Sequence, residues 1–151
     1  MASRPRGGDW LEDEINGWRK AGLDVVVSLL ETDEAAQFEL GHEGDVAESE
    51  GVRFISFPIP DRGVPSSTQE ALSLFSTIAA ALGEGKNAAV HCRQGIGRSG
   101  LVAAGVLLTS GMGVDKALQV VGAARGEAVP ETPVQLQWIK HLPSEHLAVT
   151  S

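Results

Sequence analysis

The single cysteine of the chain opens the stretch His91-Cys92-Arg93-Gln94-Gly95-Ile96-Gly97-Arg98-Ser99-Gly100. A cysteine thiolate is a strong nucleophile. A guanidinium six residues on, at Arg98, can hold two oxygens of a phosphate in its planar fork. Between the two, Gly95 and Gly97 give the backbone access to φ > 0, so that successive N–H groups can turn toward one centre. Asn87 to Val90 is a short apolar run that reads as a buried strand feeding the loop, and Leu101 to Leu108, apolar and alanine-rich, reads as a buried helix leaving it. A strand, a glycine loop and a helix N-terminus form an anion site, and the same field stabilises a thiolate at its start. Nucleophile, phosphate cradle and clamp thus fall within ten residues.

Several other chemistries compete for these residues. A lone cysteine is most often a small buried hydrophobe, but its neighbours here argue against that. A nucleotide-binding P-loop is excluded, because no Gly-x4-Gly-Lys-Ser/Thr occurs. A rhodanese-like sulfurtransferase loop begins similarly to Cys92-Arg93-Gln94-Gly95 but is one residue shorter before its arginine. The full stretch resembles the active-site loop of the cysteine-based protein tyrosine phosphatase superfamily, His-Cys-x5-Arg-Ser/Thr. It is most similar to that of the compact dual-specificity and kinase-associated phosphatases. Cys92, Arg98 and Ser99 occupy the three defining positions.

The resemblance implies phosphomonoester hydrolysis through a cysteinyl-phosphate, with no metal and no cofactor. Cys92 would attack phosphorus, and the amides of Arg93, Gln94, Gly95, Ile96, Gly97 and Arg98, with the Arg98 guanidinium, would hold the phosphate oxygens. Ser99 would ease departure of the sulfur, and His91 would order the loop. The superfamily carries its general acid on a loop upstream, and Asp61, 31 residues before Cys92 in Asp61-Arg62-Gly63-Val64-Pro65, is the matching residue. Gln135 matches a glutamine that positions the hydrolytic water, although Thr132-Pro133-Val134-Gln135 is also a sufficient helix-capping box. The alternative from another class is a catalytically silent phosphate- or phosphoprotein-binding module; such modules lose the cysteine, the arginine or the acid, and all three are present.

The elements that must position these residues alternate. Trp10, Ile15 and Trp18 recur at helical spacing behind Asp9 and Glu12, with the tryptophans expected in the core. Val25 to Leu30 is a β-branched strand, and Thr32 is expected to cap an acidic helical turn. Arg53 to Phe57 is a further strand, stopped by Pro58 and Pro60. Ser67 with Glu70 opens a helix to Leu82, Asp115 to Ala124 forms another, and Pro133 starts the last, with a mobile tail from about 143. This order predicts one α/β domain over 1–151 with a largely parallel sheet flanked by helices. Three strands are legible. The resemblance implies four or five, and the remainder is expected near residues 1–8.

With 151 residues, one cysteine and a net charge of −8, the chain suits a reducing cytoplasm and has no general affinity for nucleic acid or anionic membrane. The basic N-terminus has no apolar segment after it and does not read as a signal peptide. Eight carboxylates without a lysine or arginine lie between Glu31 and Glu50, and they read as a solvated helical face and loop. Arg93 adds one cation to the loop and Ile96 none. Phosphorylated protein side chains or small phosphomonoesters are therefore expected as substrates ahead of phosphoinositides or RNA 5′-phosphates, with oligomeric state open.

Overall fold

Val25, Val26 and Val27 are buried on both sides because the strand they form, β1 (Val25–Ser28), lies at the centre of the sheet. β2 (Arg53–Ser56) and β3 (Ala88–His91) flank it, both parallel, in the order β2-β1-β3. The register pairs Ser28 with Ser56 on one side and with His91 on the other. Period-two alternation divides β1 between two cores: Val26 packs with Leu11, Ile15 and Leu30, whereas Val25 and Val27 pack with Leu74, Phe75, Leu101 and Ile139. Parallel strands require helical crossovers, and these cover both faces. On one face lie α1 (Leu11–Lys20), α2 (Thr32–Gln37) and α3 (Glu43–Ser49). The other carries α4 (Thr68–Gly83), α5 (Gly97–Thr109), α6 (Val114–Arg125) and α7 (Pro133–Leu142).

The computed structural model describes residues 4–93, 97–126 and 129–142. Gln94, Gly95, Ile96 and the tail from 143 lie outside the described residues. Among the described residues the sheet has three strands, which corrects the expected four or five. Residues 4–7 do not pair with it: Gly8, at φ +59°, turns the chain into a single 3-10 turn over Gly8–Trp10, and its N–H donates to Glu39 O at 3.0 Å. Asp9 lies in that turn instead of capping α1, and Trp10 is exposed beneath the Arg6 guanidinium instead of in the core. The α2 cap is Glu31 and not Thr32, because the Glu34 carboxylate reaches back to the Glu31 N–H.

Ser67 caps α4 as its side-chain oxygen accepts from the Glu70 N–H at 3.2 Å. α4 and α5 approach closely through Gly105, where a Cβ would collide with the Phe75 ring. That approach sets α5, and with it the loop leading into α5, against the sheet.

Candidate active site

The chain leaves β1 toward one edge of the sheet and returns at β3 on the other, so the crevice at the carboxyl ends of β1 and β3 is the topological switch point. Cys92 directly follows β3 and Leu29 directly follows β1, tied by the Leu29 N–H donating to His91 O at 2.9 Å. At this crevice a cavity of about 280 Å³ is lined by Asp61, Arg62, Cys92, Arg93, Gly97, Arg98 and Glu131. Five of these are residues the sequence singles out: Cys92, Arg98, Asp61, Arg93 and Gly97.

Arg98 is only 2% exposed, and three of its five N–H donors are engaged at short range. Its Nη1 donates to Glu34 Oε1 at 2.6 Å and to Ile59 O at 2.8 Å, with Leu29 O at 3.4 Å, and its Nη2 donates to Glu34 Oε2 at 2.8 Å. A guanidinium has five N–H donors in one plane. These contacts leave Nε–H and one Nη2–H without a short hydrogen bond among the described residues, and that pair is the side-on fork that fits two oxygens of a tetrahedral anion. Asp61 Oδ1 faces this side loosely, 3.5 Å from Nη2. Burial works against the Arg98 charge, but the hydrogen bonds and charge of Glu34 outweigh it, and Cys92 and Asp61 add to the effect, so its pKa lies above the ordinary arginine value. The Glu34 carboxyl is held below the usual range, foremost by the Arg98 hydrogen bonds and against its own burial; the Glu31 N–H and the charges of Arg98 and Arg93 contribute further.

His91 is fully buried, and its Nε2 lies 2.6 Å from Glu43 Oε2, itself buried. His91 Nδ1 and Ser99 Oγ are buried without a partner among the described residues. Ser99 lies in the first turn of α5, within the same strand-loop-helix unit as Cys92.

Gln135 does not line the cavity. Its Oε1 accepts from the N–H groups of Glu131 (3.1 Å) and Thr132 (3.3 Å), its own N–H donates to Thr132 Oγ1 (3.2 Å), and its Nε2 donates to Gly63 O (2.9 Å). The reciprocal capping box is therefore formed, and the same amide holds the turn that carries Asp61. That turn closes with the Gly63 N–H donating to Pro60 O at 2.8 Å and places Arg62 at φ +62°, a conformation costly for a side chain with a Cβ. Thr132 Oγ1 donates to Arg62 O at 3.3 Å, and Arg62 pairs with Glu131 at 2.7 Å, so the segment before α7 holds the Asp61 turn at several points.

Glu34, Glu43 and Glu131 are site residues that the sequence reading misses. The first two belong to the acidic run expected to be solvated, and both are buried. A signal for Glu34 exists: it follows the carboxyl end of the central strand within a few residues, where parallel topology brings it to the loop after β3. Nothing in the sequence marks Glu43. Glu131 lies beside the capping box, and its carboxylate stands where a Cβ on Gly97 would collide with it.

A family profile described as "Polymorphic toxin system, DSP-PTPase phosphatase" matches residues 2–112. Protein tyrosine phosphatase domain-containing protein 1 of Danio rerio is 39% identical over 80 residues, 52% of this chain, and the chain spans only 11% of that relative's length. Among solved structures, Tk-PTP in its active form is 32% identical, with 95% of this chain and 91% of that one covered at a TM-score of 0.77. Kinase-associated phosphatase bearing serine in place of its catalytic-site cysteine is 18% identical and shares the fold at a TM-score of 0.88, covering 97% of this chain and 86% of that one. No helix among the described residues is long and apolar enough to cross a membrane.

Proposed function

The chain belongs to the DSP-PTPase phosphatases of polymorphic toxin systems, and we propose that it acts as a single domain over 1–151 that hydrolyses phosphomonoesters, phosphotyrosine in proteins included, through a cysteinyl-phosphate. The observation that carries this reading is the free fork of a buried, Glu34-locked Arg98 facing the same cavity as Cys92.

In the first step the Cys92 thiolate attacks phosphorus in line with the leaving oxygen; the S–P bond forms as the P–O bond breaks. The Arg98 fork and the backbone amides of residues 93–98 hold the equatorial oxygens. Asp61 gives its proton to the departing oxygen. In the second step water attacks phosphorus, Asp61 takes up a water proton, and the S–P bond breaks to return the thiolate. The unpartnered Ser99 hydroxyl is available to hydrogen-bond that thiolate. His91, anchored by Glu43, orders the start of the loop. The several bonds of Gln135, which is fully buried and does not line the cavity, support a role in holding the Asp61 turn.

Cys92→Ser should abolish hydrolysis of a small aryl phosphate yet retain inorganic phosphate or vanadate, since the arginine fork does not depend on sulfur. Wild-type activity should persist in a chelator. Turnover by the serine variant, or strict dependence on added metal, would end the cysteinyl-phosphate reading in favour of another reaction. Absence of turnover in the wild type with retained anion binding would favour the silent binding module.

A further inference from the structure

Residues 4–7 add no strand to the sheet, yet they are tied to it at several points. Pro5 is buried, and the Gly8 N–H donates to Glu39 O at 3.0 Å. Gly7 has φ −92°, open to any residue, so space and not conformation calls for glycine there: a Cβ would collide with the carbonyls of Phe38 and Glu39. Arg6 pairs with Glu14 and lies over the Trp10 ring. The segment thus crosses the carboxyl end of α2 as a fixed strap. It delivers Arg4, whose guanidinium lies 3.8 Å from the Phe38 ring centroid and whose Nη1 donates to the Arg93 carbonyl at 2.8 Å, 89 positions along the chain. Cation–π contact orients the guanidinium toward that carbonyl.

Arg93 directly follows Cys92, and it lines the cavity. Neither Arg4 nor Phe38 lines it, so the Arg93 carbonyl is turned away from the cavity, toward the strap. In a planar trans peptide the C=O and N–H point opposite ways, so a carbonyl facing out leaves the adjoining N–H free to face in. A carbonyl facing in would set its partial negative charge against a phosphate dianion.

We propose that Arg4 is a positioning residue for the phosphate-binding loop: carried by the strap over residues 4–8, it fixes the outward orientation of the Arg93 carbonyl and so preorganises the first peptide of the cradle. The inference rests on the phosphatase reading for the reaction it serves. Arg4 acts through the backbone and does not line the cavity. A cation near a phosphate site can also act by simple attraction, and the two roles differ in what they depend on. Attraction depends on charge and is screened by salt. Bracing depends on the path of the strap and on one hydrogen bond.

The test compares wild type, Arg4→Gln, Gly7→Ala and the double variant on a small aryl phosphate, each well below its unfolding temperature. Arg4→Gln should lower kcat/KM about tenfold, as expected for loss of one hydrogen bond from a charged donor, and the loss should persist in high salt. Gly7→Ala keeps every charge but displaces the strap, and should lose about as much. The double variant should be no worse than either single one, because both break the same contact. Calorimetric titration of inorganic phosphate into the Cys92→Ser protein, with and without Arg4→Gln, reads the cradle separately from turnover, and the affinity should fall by about the same tenfold factor. Arg4→Gln activity within about twofold of wild type, a loss that vanishes in high salt, wild-type activity in Gly7→Ala, or fully additive losses would overturn the positioning role. Weaker phosphate binding caused by Arg4→Gln supports it even where wild type fails to turn over any phosphate, a result that would sink only the phosphatase reading. Equal phosphate affinities with and without Arg4→Gln would overturn it.

Discussion

Replacing Glu34 by glutamine tests the central geometric claim about Arg98. The wild-type carboxylate accepts two charge-assisted hydrogen bonds, at 2.6 and 2.8 Å, from a guanidinium that is 2% exposed. Glutamine keeps one acceptor, turns an NH₂ donor toward the guanidinium and removes the balancing charge. Removing one partner of a buried ion pair costs about 3–5 kcal/mol, because the other charge stays buried and unpaired. Ile59 O at 2.8 Å still accepts, and glutamine retains one bond, which places the expected cost near the lower end, about 3 kcal/mol. For a chain of this length that corresponds to a fall in Tm of about 6–12 °C. Denaturant and thermal unfolding measure it, and kcat/KM on an aryl phosphate should fall as the fork loses its orientation. The pH dependence has a definite sign. The Glu34 pKa is depressed in the fold, so the contribution of the pair is complete above the ordinary carboxylate range and is lost only as pH falls through the depressed value. The raised Arg98 pKa keeps its side of the pair intact across all moderate pH. Wild type should therefore lose Tm more steeply than Glu34→Gln on acidification below that range. A variant within about 1 kcal/mol of wild type, with unchanged kcat/KM, would show that Arg98 is held by its carbonyl contacts alone and refute the reasoning.

Asp61→Asn should slow aryl phosphates with poor leaving groups by about 10²–10⁴-fold and those with good leaving groups far less; equal losses across the series would move the acid to another carboxylate, and Glu131 lines the same cavity. Glu43→Gln should destabilise the fold by about 1–3 kcal/mol in denaturant unfolding, since His91 is fully buried and loses its carboxyl partner at 2.6 Å; an unchanged midpoint would mean that the pair is not maintained in solution. Gly105→Ala should cost about 1–3 kcal/mol or more because its methyl meets the Phe75 ring between α4 and α5, a larger loss than alanine causes at Gly83, where a Cβ meets nothing.

The parts of this fold that were legible in the sequence are those fixed by local chemistry. The valine run of β1 is continuous because both its faces are covered, and Ser67 with Glu70 caps α4 through a bond three residues long. The Cys92-to-Arg98 spacing is legible for the same reason, since a loop between one strand and one helix carries its geometry in its own residues. Expectations failed where the deciding partner was distant. Residues 4–7 look free to add a strand, yet Arg4 is drawn to the Arg93 carbonyl, 89 positions away. Glu34 and Glu43 are indistinguishable in sequence from the other acids of the 31–50 run. Their burial is decided by Arg98, 64 positions on, and by His91, 48 positions on. Burying a carboxylate without a partner is costly, so neither would be inside unless the sheet order brought β3 and its loop beside β1. The two acids that left the expected solvated face are therefore the two that meet Arg98 and His91, on either side of Cys92. A chain with the same charge count but with Glu34 moved one position along α2 would rotate its carboxylate by about 100° away from Arg98. It would keep its composition and its Cys92-to-Arg98 spacing, and lose the support that holds the Arg98 guanidinium at the cavity.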